Sequence, residues 1–353
     1  PRPAVTRIAP AHPQPHPAHG PHDPVLTTPP RAPGSVRRTS SLDSSRPQGA
    51  GGPLVIDARA RDLVTGPDGV TVTETRQIAI GLTLDDATRE VLEVRTTPPQ
   101  PAVSRLVGAR VVGGFRRTLG EMLPDERAGR TLTHLLLDDL PGAVLVSGYT
   151  LLRAGIVGVG PAPVGGDGSA HMAHMADLCA GWAADGSMMD SIRVTGVIPT
   201  PYGPPAPTIE RPDDELSWHE MAPLGLLATR RRRRLDLVPG DAAGHHAVDL
   251  HFRDSHRGGE SDPVDGGGES VVHEYTATAT VDARSRRLLA LTPRAQVLPW
   301  LECPGALASA SRLVGATLDE VAGVVRRELV GVVSCTHLND TLRSLADLDA
   351  LLP

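Results

Sequence analysis

Two cysteines and two histidines in the second half of the chain carry the clearest chemical signal. Cys303 stands immediately before Pro304 at an expected helix start, and the stretch SCTHL places Cys335 and His337 two residues apart at the start of another helix. A helix N-terminus offers unpaired amide N–H groups and a partial positive charge, which favour a thiolate, the form of cysteine that ligates metals and attacks electrophiles. If the chain enters that helix extended, Cys335 and His337 converge on one point. His273, on the inward face of a strand, then supplies a further nitrogen. Two Cys and two His suit tetrahedral zinc, although their spacing matches no finger or ribbon pattern. Asp340, one turn along the last helix, is a candidate for orienting His337, against the plainer expectation of a surface carboxylate. The plainer readings of the rest are that a buried Cys is a small apolar residue and that an inward His is hydrogen-bonded core.

Other groups are weaker. In DLHFRDSH, strand alternation sends Asp249 and His251 toward solvent, while Asp254 and His256 near the strand end are better placed as ligands. HMAHMADLC sets His171, with His174 nearby, on roughly one helical side with Cys179, a pattern that an ordinary amphipathic helix also produces. The run Arg230 to Arg234 is expected to be a solvated charge run beside the acidic RPDDE. No phosphate-binding Gly-rich loop, dinucleotide fingerprint, nucleophile elbow or HExxH pattern is present.

The elements that must position these residues are legible from local signals. Pro304 suits a first helical turn, Gly315 can end that helix, and TLDE at 317–320 is a capping-box pattern opening the next. Leu338, Leu342, Leu345 and Leu348 recur at helical spacing behind Thr336, a suitable N-cap. SRLVGA occurs at 104–109 and again at 311–316, and its flanks align in order: TLDDATREVLEV with TVDARSRRLLAL, THL with THL, RRTSSLD with RRRRRLD, VIDARARD with AVDLHFRD. Strand faces agree as well. Ile78, Ile80, Leu82 and Leu84 lie over Tyr275, Ala277, Ala279 and Val281, and Ile56, Ala58 and Ala60 over Val248, Leu250 and Phe252. A one-residue slip would send every such side chain to the other face, so the agreement is informative.

The expectation is a tandem duplication of an α+β unit, each copy a three-stranded antiparallel meander followed by helices. Residues 36–150 form the first repeat, 151–228 a connecting region with one helix and a Pro-rich linker, and 229–353 the second repeat. Residues 1–35, rich in Pro and His, are expected to be a disordered tail, in which His12, His16, His19 and His22 could hold a divalent metal loosely. The first repeat keeps His134 but has Leu132 opposite Cys335, Arg76 opposite His273, and no Cys near 99–101, so only the second is expected to carry a site.

Composition bounds the function. All 35 basic residues are Arg, Asn339 is the single Asn, and the net charge is −6, which argues against nucleic acid as a partner. Three cysteines make no disulfide framework, and neither a signal segment nor a stretch long enough to span a bilayer is evident. The expected setting is the cytoplasm, with no membrane partner.

HEYTATATVDARSRRLLAL, LPWLECPGALASASRLVG and SCTHLNDTLRSLADL, with DLCAGWAADGSMM and GPPAPTIERPDDELSWHEMAPL before them, resemble the bacterial domain-of-unknown-function family 2889. That resemblance implies no activity. ECPGALASASRLVGATLDEV followed by SCTHLNDTLRSL is similar in layout to NifU-type iron–sulfur scaffold domains and the related TSCPD domains. The likeness implies that Cys303 and Cys335, with His337 on the other side of its Cys from the scaffold's His, hold zinc or a cluster. The scaffold's further Cys has no equivalent in 262–273, which favours zinc over an iron–sulfur cluster. The functional expectation is a metal-binding module using Cys303, Cys335, His337 and His273. Its alternatives are a thiol enzyme or sulfur carrier using Cys335 or Cys303, and a non-catalytic interaction protein.

Overall fold

The computed structural model describes residues 18–156, 175–195, 199–240, 244–260, 262 and 264–353. Eight strands form one antiparallel sheet: β1 (Val36–Ser45), β2 (Leu54–Thr65), β3 (Val72–Leu84), β4 (Val91–Thr97), β5 (Ala228–Pro239), β6 (His245–Arg257), β7 (Glu269–Asp282) and β8 (Arg287–Val297). The described helices are α1 (Phe115–Met122), α2 (Pro124–Ala128), α3 (Leu132–Arg153), α4 (Ser187–Thr195), α5 (Leu318–Glu328) and α6 (Thr336–Arg343). The strand order is β4-β3-β2-β1-β5-β6-β7-β8, so two meanders run outward from a central antiparallel β1–β5 pair. Each meander has four strands where the sequence suggested three. The fourth lies at a sheet edge in both halves, where Pro293 within β8 costs no essential ladder bond.

Alternation along the strands behaves as expected. Ile56, Ala58, Ala60, Ile78, Ile80, Leu82 and Leu84 enter one apolar core beneath α1 and α3. Val248, Leu250, Phe252, Tyr275, Ala277, Ala279 and Val281 enter a second beneath α5, α6 and the 3-10 helix Cys303–Leu313. The capping box Thr317/Glu320 is formed, and Leu338, Leu342, Leu345 and Leu348 are buried. At the start of α6 it is Cys335 that stands at the N-cap, with Thr336 the first helical residue. α3, of 22 residues, is among the described residues the one helix long and apolar enough to cross a membrane, and most of it is buried inside the protein.

The arginine run overturns its expected reading. Arg230 to Arg234 are β5 itself, central in the sheet and buried along their whole length. The period of two sends Arg231 and Arg233 to the helix face, where Asp139 of α3 receives Arg233 at 2.7 Å. Arg230, Arg232 and Arg234 point to the other face, toward Asp43, Glu210 and Asp249. Burial without such partners would cost several kcal/mol per ion, so every one is matched.

That second face is roofed by chain outside the meanders. Residues 18–35, expected within a disordered tail, are laid along the sheet: Gly20 N–H bonds Leu298 O at 3.1 Å, Val25 N–H bonds the Glu274 carboxylate at 2.9 Å, and Pro29 O accepts from Arg37 at 2.9 Å. His12 and His16 lie outside the described residues, and His19 and His22 stack on each other. The Pro-rich stretch after α4 joins the roof, with Trp218 Nε1 donating to Thr28 Oγ1 at 2.7 Å. His251, expected in solvent, is buried under this roof and bonds Glu274 at 2.6 Å.

His219 pins the roof to β1, its ring nitrogens 2.8 Å from Ser41 Oγ and 2.9 Å from Thr39 Oγ1. Burial, with Arg61, Arg230 and Arg232 nearby, lowers its pKa to about 3. The unfolded chain, with an ordinary imidazole near ~6.5, therefore takes up this proton first. His219 contributes no pH dependence above ~6.5, and stability falls as pH drops from there toward the folded value. Substituting His219→Gln, which keeps one hydrogen bond, should flatten that part of the profile by on the order of 3 kcal/mol at pH 4. Urea denaturation of parent and variant at pH 7.5 and pH 4 measures this, and equal pH slopes would refute it.

Candidate metal centre

The second half brings Asp254, His273 and His337 together through three separate elements. Asp254 continues the inward face of β6 beyond Leu250 and Phe252 and is fully buried. His273 lies directly opposite it on β7, at the point where the β6–β7 register shifts between Asp254 and Ser255. A bulge of this kind re-aims side chains beside it. α6 then lays the His337 ring on that of His273, with centroids 3.4 Å apart and planes inclined by 16°.

One carboxylate oxygen, Asp254 Oδ2, is 3.7 Å from His273 Nδ1 and 3.7 Å from His337 Nε2. The three ligating atoms all lie within 4.8 Å of one another. His273 Nδ1 and His337 Nε2 are shielded from solvent and lack a hydrogen-bond partner. Burial and the adjoining His337 ring hold His273 well below the ordinary imidazole pKa, and burial with Arg231 nearby lowers His337 to about 3. Both rings are therefore neutral near pH 7, the form that binds metals.

The three cysteines lie outside that group but near one another, around the Tyr275 hydroxyl. Cys335 Sγ is 3.9 Å from His337 Nδ1, the ring nitrogen turned away from Asp254, and accepts from Tyr275 O–H at 3.2 Å. Cys303 lies in the apolar core beside Trp300, its sulfur 2.7 Å from where a Cβ on Gly181 would stand. Cys179, the N-cap of a short 3-10 turn, is drawn toward Cys335 by the bond from Ala180 N–H to Ser334 O at 2.8 Å. His171 and His174 lie outside the described residues. Burial pushes the Cys179 thiol up to about 11, and it raises Cys303 and Cys335 as well, so the partial charge of a helix start does not produce a thiolate in this core. His256 is buried edge-on against Tyr149, away from the three.

A second layer fixes the group. Arg231 makes a bidentate pair with Asp254, at 2.8 and 3.0 Å, and reaches Asp340 Oδ2 at 2.7 Å with its remaining nitrogen. Asp340, for which a surface position was the plainer expectation, is buried and bonds Arg231 rather than His337. Arg116 at 3.1 Å and Arg343 at 3.0 Å also hold it, and despite the opposing effect of burial these cations keep its carboxyl far below the usual range. Arg231 was missed because a run of five like charges signals solvent. Asp254 was among the sequence candidates, named with His256 near the end of its strand.

Residues 229–350 match the model of a family described as protein of unknown function (DUF2889). No curated protein and no solved structure matches the chain.

Gly142 of α3 is where the second layer is tightest. A Cβ there would stand 1.8 Å from Arg231 Nη1 and 2.5 Å from Asp340 Oδ2. Gly142→Ala should therefore break the buried Arg231–Asp340 pair and cost about 3–5 kcal/mol. Gly148→Ala on the same helix, with nothing within 4 Å of the new methyl, should be neutral or stabilising. Denaturant unfolding of both variants decides, and equal stabilities would contradict the packing described.

Proposed function

We propose that this chain is a metal-binding protein whose second half holds one divalent ion, zinc by donor chemistry, through Asp254, His273 and His337. The observation that carries the reading is the pair of buried, unpartnered imidazole nitrogens, each 3.7 Å from one carboxylate oxygen. Buried polar atoms are almost always paired, and two orphans converging on an acid call for a ligand. Ligands on a shared tetrahedral ion, bonded at ~2.0–2.2 Å, lie roughly 3.3–3.6 Å apart; the two nitrogen–oxygen spacings are 3.7 Å, and the nitrogen–nitrogen spacing, within 4.8 Å, closes as the rings turn. The rings are stacked, so binding asks each imidazole to turn about its Cβ–Cγ bond. Three protein ligands leave a fourth position for water or substrate.

Cys335 and Arg231 support the ligands from behind. The Cys335 sulfur beside His337 Nδ1 steadies the ring, and Arg231 orients Asp254 while sharing its own charge with Asp340 and Asp139. A thiol enzyme draws less support, because its nucleophile would be a buried and protonated sulfur. The same burial weakens an iron–sulfur site of the NifU type at Cys303 and Cys335.

The two halves are, on this reading, copies of one unit, of which only the second kept the site. Arg37 pairs with Asp236 at 2.7 Å and Arg230 with Asp43, the same contact made twice across the β1–β5 junction. Arg38–Asp62 and Arg231–Asp254 are likewise bidentate pairs at equivalent positions of the two halves. The first half thus has Asp62 and His134 as counterparts of Asp254 and His337, but Arg76, exposed and paired with Glu74, stands where His273 would be.

Untagged protein equilibrated with zinc and desalted should retain one ion per chain by elemental mass spectrometry, with a raised melting temperature. His273→Ala and His337→Ala should each abolish that retention, while Cys303→Ala should keep it. No retained ion, or retention that survives both histidine substitutions, would overturn the assignment.

A further inference from the structure

A cleft of about 1110 Å³ separates the two helical layers, with α1 to α3 on one wall and α5 and α6 on the other. Its lining contains eight arginines and only four aspartates, in a chain whose net charge is −6. Three of the four acids are committed, and the fourth, Asp347, is buried with Arg38, His134, Arg130 and Arg233 around it. Asp138 and Asp340 are bonded by Arg116 and Arg343, and Asp319 accepts from the Thr317 hydroxyl. Three cations are not: Arg127 and Arg130 on the first wall and Arg326 on the second have no carboxylate within 4.0 Å among the described residues. His134, 93% buried at the start of α3, also lines the cleft and has no partner for Nδ1. Between these groups the walls are apolar, with Leu135, Val144, Val325 and Leu329.

We infer that this cleft is a binding site for a small organic phosphate, its phosphate held by Arg127, Arg130 and Arg326 and its apolar body lying between the helical layers. Guanidinium groups stand on both walls of the cleft, and their planar forks are suited to bidentate pairing with phosphate oxygens. The volume suits a single small molecule, and the acidic chain as a whole would repel a nucleic-acid polymer. His134, neutral because burial lowers its pKa, donates or accepts one hydrogen bond at the inner end without adding charge. The site is distinct from the three proposed metal ligands and needs no metal.

Octyl phosphate, inorganic phosphate and octanoate are the probes, titrated calorimetrically into the metal-free 353-residue chain. Octyl phosphate should bind best, inorganic phosphate more weakly for want of the apolar contact, and octanoate more weakly for want of charge. Arg127→Ala and Arg326→Ala remove exposed side chains and leave folding intact. Each should weaken octyl phosphate about tenfold, as expected for one charge-assisted hydrogen bond, and the double variant more. No heat with octyl phosphate at about 1 mM, undiminished affinity in the double variant, or octanoate binding as tightly as octyl phosphate would each overturn the inference.

Discussion

The buried guanidinium of Arg231 is the constraint on which the rest of the molecule depends. A cation taken out of water must be met by carboxylates at fixed distances or it destabilises the fold, and breaking such a pair costs about 3–5 kcal/mol. Arg231 is met by Asp254 on the neighbouring strand and by Asp340 on α6. Two residues along, Arg233 is met by Asp139 on α3. One strand therefore dictates where two helices sit, and it does so with directional contacts. The two apolar cores lie to either side of this ionic seam and supply most of the driving force without fixing orientation.

The same logic explains why the sheet is covered twice. β5 presents arginines to both of its faces, so neither face can be left to an ordinary apolar layer. The roof of residues 18–35 and 199–227 answers the outer set with carboxylates and backbone carbonyls: Glu210 for Arg232, Ala222 O for Arg230, Ser217 O and Pro29 O for Arg37. Arg253 repeats the arrangement on β6, held by Glu274, Val25 O and Pro207 O. A linker rich in Pro has few N–H groups to satisfy and many carbonyls to offer, which suits it to lie across guanidinium groups.

What the sequence made legible follows from the range of the interactions. Strand faces, the capping box at Thr317 and the leucine spacing of the last helix are local patterns, and all are present in the fold. The repeat put Leu84 and Val281 on equivalent inward faces, and both are buried. The arginine run was misjudged because, apart from Asp236 beside Arg234, its partners sit at 43, 139, 210, 249, 254, 269 and 340, on other elements of the fold. A fourth strand per half was missed because Pro293 and the short span of β4 weaken the local pattern. Cys303 and Cys335, chosen because they stand at helix starts, lie in the apolar core, where burial raises their pKa. His273 and His337, chosen as candidates for their placement on a strand face and at a helix start, do meet, through the register shift on β7 and the first turn of α6.

α6 links the two proposed sites. One side of its first turns carries His337 toward Asp254, and another carries Thr336, Asn339 and Asp340 into the cleft. The helix cannot rotate without breaking the bonds from Asp340 to Arg231, Arg116 and Arg343. Arg231 in turn holds Asp254 by two bonds, so the same guanidinium sets the positions of two of the three proposed ligands, one directly and one through the helix that bears it. Only His273 is placed independently, by the strand ladder. Asp340, which contacts neither imidazole, is therefore a positioning residue for the group, and the narrow approach allowed by Gly142 is what lets α3 close over that joint.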